Sequence, residues 1–146
     1  MFKGFWRLEH RRDGQVIGVQ HVRNTITDTG LAAIFDTFFR HGTTSPAWYM
    51  GLIGPGTTVD ASDTLASHAG WTEYNQTRAS WAPTATTARV LEGTGSFTVT
   101  TAGTVSGFFL TDKISGASGT LWCAALMDDR TVAVGDVLSL KYQVTG

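Results

Sequence analysis

The part of the chain from Thr77 onward consists of short runs in which apolar and polar residues alternate, separated by glycine- and aspartate-containing turns. Leu138, Leu140 and Tyr142 alternate with more polar neighbours, and residues 96–101 do the same. A period of two places side chains alternately on the two faces of a strand, so each run predicts a strand with one covered face. The predicted strands span residues 78–81, 88–92, 96–101, 104–111, 120–127 and 137–144. The predicted turns lie at residues 93–95, 102–103, 112–119, 128–130 and 135–136.

Two of these runs, residues 107–110 and 121–127, are continuously apolar and predict strands covered on both faces. The chain has 17 glycines in 146 residues and few charged side chains, a composition typical of strands and turns. We therefore predict a single all-β domain over residues 1–146, built as an antiparallel β-sandwich of jelly-roll kind or as a small barrel.

An N-terminal hairpin is predicted over about residues 5–26, because Asp13-Gly14 stands between two strand-like runs. Asp-Gly favours the tight turn whose twist matches that of paired strands. The alternation around Val16, Ile17 and Val19 is mixed, so the register and the buried face of the hairpin stay open.

One α-helix is predicted near residues 28–41, where the apolar period changes from two to that of a helix. Leu31, Ile34, Phe35 and Phe38 fall on one helical face. Thr27 or Asp28 can cap its start, and Gly42 can end it. An apolar stripe at this spacing predicts a core face that packs on a sheet or closes a barrel end. Truncating Phe35 or Phe38 to alanine is then expected to cost roughly 3 to 5 kcal/mol.

A long excursion is predicted over about residues 54–74. Gly54-Pro-Gly ends an apolar strand that begins at Trp48, and Asp63 precedes Leu65 as the cap of a single helical turn would. Trp71 and Tyr74 are large aromatic residues in a polar segment, which predicts that they anchor an ordered loop to the domain. This loop is also the part expected to meet a partner.

The central stretch resembles a known group of proteins. The order Trp48-Tyr-x-Gly-Leu-Ile, then Ser62-Asp-Thr-Leu-Ala-Ser-His-Ala-Gly-Trp-Thr-Glu, followed by Arg78 and Trp81, is similar to a family of small structural proteins of tailed bacteriophages. The similarity runs from about Asn24 to the end. It implies a virion protein, either a capsid decoration (cement) protein or a tail component. The family has no catalytic residues to carry over.

The sequence contains no complete motif for phosphate binding, catalysis or metal binding. The glycines of residues 51–56 lack the spacing and the lysine of phosphate-binding loops. Ser67 and His68 lie near acidic residues, but the Gly-x-Ser-x-Gly turn of a catalytic serine is absent. The histidines are too far apart in sequence to resemble the paired ligands of a zinc site. Asp112 and the pair Asp128-Asp129 lack the spacing of a calcium loop. We expect no enzyme activity, no cofactor and no metal.

The composition sets further bounds. The single cysteine, Cys123, excludes an intramolecular disulfide and lies in an apolar run that predicts a buried thiol. A net charge of −1 gives no reason to expect specific nucleic-acid binding. No secretory signal and no apolar run of about 20 residues is present, so no membrane role is expected. The expected place is the virion, assembled in the cytoplasm of a host bacterium.

We consider three functions, in order of preference. The first is a capsid decoration protein bound to the major capsid protein, the second a tail, fibre or baseplate component that binds a host surface or other virion proteins, and the third a small hydrolase. A homo-oligomer, dimer or trimer, is expected, with contacts through the excursion or the hairpin. The candidate interface residues are Trp71, Tyr74, Arg78, Trp81 and His68, and Trp71→Ala is expected to weaken assembly more than folding.

Overall fold

Ten strands and one helix make up the part of the chain that the computed structural model describes, residues 1–43, 47–84 and 88–146. In chain order the elements are β1 (Lys3–Arg12), β2 (Gln15–Arg23), β3 (Thr25–Ile26), α1 (Asp28–Phe39), β4 (Trp48–Gly56), β5 (Trp71–Glu73), β6 (Ala79–Pro83), β7 (Val90–Thr98), β8 (Gly103–Thr111), β9 (Leu121–Val132) and β10 (Val137–Thr145).

The strands form one antiparallel sheet in the order β2-β1-β10-β7-β6-β4-β8-β9-β3, with β5 added to β4. The two halves of the sheet are joined by β6. Its first part, Ala79 to Trp81, pairs with β4, and its second part, Ala82 and Pro83, pairs with β7. The last strand, β3, returns to the beginning of the sheet: the backbone amide of Asn24, between β2 and β3, donates to the Gly4 carbonyl of β1 at 3.2 Å. The predicted all-β class with one helix is confirmed, and the sheet is nearly closed and barrel-like.

The main core lies inside this curved sheet. Trp6 of β1 is at its centre, with its ring 4.6 Å from that of Tyr142 and 5.5 Å from that of Phe108. The Tyr142 hydroxyl accepts hydrogen bonds from the Trp122 indole at 2.8 Å and from the side-chain amide of Asn24 at 3.0 Å. The alternation predicted for residues 137–144 is confirmed, because Leu138, Leu140 and Tyr142 are all buried.

A second, smaller core covers the outer face of β4, β8 and β9. There Ile53, Phe109, Leu121 and Ala124 contact Leu65 and Trp71 of the excursion. Phe108 and Phe109, adjacent in β8, therefore face different cores and are both fully buried. This arrangement confirms that the continuously apolar runs are strands covered on both faces.

The predicted hairpin is present as β1 and β2. Asp13 and Gly14 have φ values of 52° and 77°, which gives the turn the left-handed backbone that Asp-Gly favours. The buried face is that of Trp6, Leu8 and His10 in β1. The hairpin, predicted to extend to about residue 26, ends at Arg23, where the chain leaves β1, and residues 25–26 pair with β9 as β3.

The predicted turns at residues 93–95 and 128–130 are wrong. β7 runs straight through Gly93 and Gly95, where a Cβ would lie 2.6 Å from the Trp81 indole nitrogen and 2.0 Å from the Met50 methyl. These glycines serve close packing rather than chain reversal. β9 likewise continues through residues 128–130, and Asp129 accepts a hydrogen bond from the Ser106 hydroxyl at 2.7 Å.

The helix begins where predicted, and Thr27 is its cap, accepting a hydrogen bond from the Gly30 amide at 3.0 Å. It ends at Phe39, two residues before the predicted end. His41 takes the left-handed conformation, with φ of 55°, and the amide of Gly42 donates to the Asp36 carbonyl at 2.9 Å. Gly42 therefore follows the end of the helix without itself making the reversal.

The prediction that the aromatic stripe of α1 is core is wrong. Phe35 and Phe38 are 51% and 74% exposed, and Leu31 and Ile34 are only half-buried. α1 docks instead by Gly30, the only buried residue in the helix.

Contacts at the start of α1 set this orientation. A Cβ on Gly30 would lie 2.6 Å from the Trp122 carbonyl oxygen, so the helix approaches β9 more closely than a larger residue would allow. The Thr27 amide donates to the Trp122 carbonyl at 3.0 Å, and the Asp28 amide donates to the Ala61 carbonyl at 2.8 Å. These bonds tie the helix start to β9 and to the excursion, and they direct the phenylalanines outward.

Candidate functional site

The excursion predicted over residues 54–74 is held by hydrogen bonds along its own length. The strand before it does not stop at Gly54 as predicted, because β4 continues to Gly56, and residues 71–73 return to the sheet as β5. The base of the excursion is closed where the amides of Thr57 and Thr58 donate to the Gly70 carbonyl at 2.8 and 3.3 Å. The single helical turn predicted after Asp63 is wrong, since residues 64–67 form a tight turn closed by reciprocal backbone bonds between Thr64 and Ser67. The Asp63 carboxylate instead accepts a hydrogen bond from the Asp60 amide at 3.1 Å.

Trp71 anchors the excursion to the sheet. Its side chain is 2% exposed, and its ring lies 5.4 Å from that of Phe109 in β8. The indole Nε1–H donates to Asp63 Oδ2 at 3.0 Å, so the polar edge of the ring is satisfied as well. On its other side the ring stacks against His68, with centroids 3.7 Å apart and planes 11° from parallel. His68 Nδ1 also lies 2.9 Å from the Trp71 carbonyl oxygen.

Arg78 joins three separate segments. Its guanidinium makes two parallel hydrogen bonds of 2.8 Å to the Glu73 carboxylate. Two further N–H groups donate to the carbonyls of Lys113 and Gly116, each at 2.9 Å, and the guanidinium carbon lies 5.2 Å above the Phe109 ring. These contacts use both the fork geometry and the flat face of the group. The side chain is buried and acts as a brace between the excursion and the loop after β8.

The five candidate interface residues therefore differ in accessibility. Trp71, Arg78 and Trp81 are buried within the single chain. His68 and Tyr74 are half-buried, and the Tyr74 hydroxyl donates to the Thr101 carbonyl. A contact of these residues with a partner stays a prediction. The side chains of Trp71, Arg78 and Trp81 are already covered by other residues of the same chain.

The polar residues near His68 are engaged in hydrogen bonds within the excursion. Asp63 is bonded to the Trp71 indole, and the His68 ring is stacked and bonded to a backbone carbonyl. No hydrogen bond between Ser67 and the His68 ring occurs in the residues that the structure describes. Over the same ranges, no group of three or more histidine, cysteine, aspartate or glutamate residues is placed to hold a metal ion.

A buried polar cluster that the sequence did not reveal joins β1 to the turn before β10. His10 Nε2 lies 2.7 Å from Asp136 Oδ2, and both side chains are buried. Arg12 donates to both oxygens of Asp136, at 2.9 and 2.8 Å, and the Ala133 amide donates to Oδ2 at 2.9 Å. These hydrogen bonds, the Arg12 bond above all, hold the pKa of Asp136 well below its usual range in spite of burial. The one sequence signal was the Gly135-Asp136 turn.

Two elements carry exposed apolar side chains that the fold leaves uncovered. On α1, Phe35, Phe38 and Phe39 are 51%, 74% and 70% exposed, and we refer to them together as the phenylalanine face. On β2, Val16, Ile17 and Val19 are each roughly half exposed. The helical stripe was recognised in the sequence, but its spacing alone could not say whether it faces the sheet or the surroundings.

Comparison of the sequence with models of protein families and with curated proteins found no match. In the described part of the chain, no helix has the length and apolar character needed to span a membrane.

Proposed function

We propose that this chain is a non-enzymatic structural protein of a tailed-phage virion, and specifically a capsid decoration protein that stabilises the shell. The resemblance of residues 48–81 to small phage structural proteins supports this assignment. A decoration protein works by adding contacts between subunits, so it needs a rigid body and surfaces that bind other proteins.

The way the resembling residues are used supports a structural role. Asp63, Trp71, Glu73 and Arg78 bond to one another or to backbone carbonyls, and they fasten the excursion to β8 and its following loop. Polar groups that are satisfied by fold-stabilising bonds are poorly placed to act on a substrate. The polar residues of the resembling stretch, residues 48–81, therefore stabilise the fold.

The single observation that carries the proposal is the exposed apolar surface on α1 and β2. Monomeric proteins rarely leave large contiguous apolar patches uncovered, and such patches mark binding surfaces for other proteins. The exposed side chains belong to two separate elements, a helix and a strand, which allows contacts with more than one neighbour. That is what a protein that links shell subunits requires.

The test is the copy number of the protein in purified particles of the phage that encodes it, measured by quantitative mass spectrometry. A shell protein is present in hundreds of copies, whereas a tail, fibre or baseplate component is present in a handful. A handful of copies would favour the tail assignment, and absence from particles would refute both. Hydrolysis of cell-wall sugar by the purified protein, abolished by His68→Ala, would favour the hydrolase alternative.

A matched pair of variants tests the mechanism. Ile17→Asp places a charge in the exposed apolar surface of β2, and Gln15→Asp places the same charge on the same strand outside it. Particles decorated with wild-type or Gln15→Asp protein are expected to resist heat better than undecorated particles. Particles exposed to Ile17→Asp protein are expected to lose that gain. Equal heat resistance of all four preparations would contradict the cement mechanism.

A further inference from the structure

We infer that the phenylalanine face of α1 binds the same face of a second copy of this chain, so that the protein forms a dimer with two-fold symmetry. The inference concerns the isolated protein and holds whether or not the protein is part of a virion. It also places the interface on α1, away from the excursion and the hairpin.

The exposed aromatic area of the phenylalanine face is about as large as the apolar core of a stable protein interface. At roughly 200 Å² per phenylalanine, the exposed fractions of Phe35, Phe38 and Phe39 amount to about 400 Å². A stable interface buries about 800 Å² per partner, of which roughly 60% is apolar. The three side chains therefore supply most of the apolar area that such a dimer needs.

The aromatic rings already pack on one another in the single chain. The ring centroids of Phe38 and Phe39 are 5.0 Å apart in an edge-to-face arrangement, and those of Phe35 and Phe39 are 6.3 Å apart. Rings that pack on one another before binding lose less rotamer freedom when a partner covers them. A cluster of aromatic side chains is also the usual source of binding energy at an interface.

The charges beside the cluster favour a second copy as the occupant. Asp36 and Arg40 lie on one flank of the phenylalanine face, and their exposed side chains are 3.0 Å apart. In a two-fold dimer with antiparallel helices, Asp36 of each copy faces Arg40 of the other, so the surface is complementary to itself. The helix itself contains two aspartates and no lysine or arginine, so it lacks the basic polar face of a helix that lies on a membrane.

The first test measures the oligomeric state of the purified full-length protein by sedimentation velocity over a range of concentrations. The wild-type protein is expected to be a dimer. The double variant Phe38→Ser/Phe39→Ser is expected to dissociate, with the dissociation constant raised at least about 100-fold by the loss of two aromatic anchors. The control Val16→Ser/Ile17→Ser removes exposed apolar groups from β2 and is expected to remain a dimer. Circular dichroism and urea unfolding establish that each variant is folded.

A charge exchange tests the arrangement of the helices. Asp36→Arg and Arg40→Asp each bring like charges together across the two-fold axis and are expected to weaken the dimer. The combined variant Asp36→Arg/Arg40→Asp restores opposite charges and is expected to recover most of the lost affinity. Failure to recover would refute the antiparallel packing.

A wild-type monomer at all concentrations, or an undiminished dimer in the phenylalanine variant, would overturn the inference. These outcomes are separate from the proposed function. A dimer in solution that is missing from particles would refute the virion role alone. A monomer that is abundant in particles would refute the dimer alone and would assign the phenylalanine face to another virion protein.

Discussion

The indole of Trp71 and the carboxylate of Asp63 are joined by a 3.0 Å hydrogen bond across the excursion, and both side chains are buried. The bond links the segment that leaves the sheet to the segment that returns to it. Together with the packing of Trp71 on Phe109, it makes the excursion part of the folded core.

Truncation of the Trp71 side chain should therefore lower the stability of the folded protein. Trp71→Ala removes a buried ring and leaves Asp63 without its donor, so we expect a loss of about 3 to 5 kcal/mol in the free energy of unfolding. Urea denaturation followed by circular dichroism measures it. Ser67→Ala, on the exposed part of the same excursion, is the control and should change stability by less than about 0.5 kcal/mol. A loss below about 1 kcal/mol for Trp71→Ala would return this residue to the role of an interface anchor.

Because α1 approaches β9 closely at Gly30, we expect the substitution Gly30→Ala to lower the stability of the protein. In an ordinary helix this substitution stabilises by about 1 kcal/mol, because alanine has the higher helix propensity. Here the added Cβ would lie 2.6 Å from the Trp122 carbonyl oxygen and 2.8 Å from the Trp122 ring, so we expect destabilisation by about 1 to 3 kcal/mol.

The comparison for this prediction is Ala32→Gly at an exposed position of the same helix, which should cost about 1 kcal/mol through propensity alone. Thermal or urea unfolding of both variants supplies the measurement. Stabilisation by Gly30→Ala would mean that α1 does not dock on β9 by this residue.

The sequence predicted the elements whose period is unambiguous and missed features that depend on tertiary contacts. Asp13-Gly14 and the alternation in β10 are local signals, and both elements form as the pattern indicates. The period of Leu31 to Phe38 gave the helix, but its rotation depends on backbone bonds from Thr27 and Asp28 to distant carbonyls. Gly93 and Gly95 look like turn residues because their packing partners, Trp81 and Met50, are remote in sequence.

The site was predictable to a similar extent. Two large aromatic residues in a polar loop indicated anchors, and Trp71 is one. The bond between Trp71 and Asp63 and the four hydrogen bonds of Arg78 involve partners that no spacing rule connects. The cluster of His10, Arg12 and Asp136 joins the two ends of the chain, so only the paired register of β1 and β10 brings it together.

This cluster predicts a specific dependence of stability on pH. The pKa of Asp136 is lowered in the folded protein, chiefly by the hydrogen bond from Arg12, with His10 and the Ala133 amide as further partners. A lowered folded-state pKa means that the folded protein holds the proton less tightly than the unfolded chain does. The contribution to stability is therefore fully present above the unfolded-state pKa of about 3.9 and is lost as the pH falls below it.

Asp136→Asn should remove this contribution. We expect a loss of about 3 kcal/mol at pH 7, because the variant leaves Arg12 and His10 without their anion. The difference from wild type should shrink as the pH falls from 5 toward 2. Urea midpoints across this range give the measurement, and Asp28→Asn, at an exposed carboxylate, serves as the control. An equal difference at every pH would show that the charge of Asp136 is not what stabilises the turn.

Cys123 is fully buried in β9 as a member of the main core. Burial raises the pKa of its thiol to about 12. Because the thiolate is the reactive form, a thiol reagent at pH 8 meets a group that is both protonated and inaccessible. We expect the native protein to react with an aromatic disulfide reagent only through unfolding, so the labelling rate should rise with urea in step with the unfolded fraction.

Ser67→Cys provides the internal comparison, because it adds a thiol at an exposed position of the excursion. This variant should show one fast and one slow reacting thiol under native conditions, and the slow phase should match the rate of the wild-type protein. If Cys123 reacted as fast as the thiol at position 67, β9 would have to open in the native state. The nearly closed sheet, whose last strands are β9 and β3, would then be loose where α1 docks.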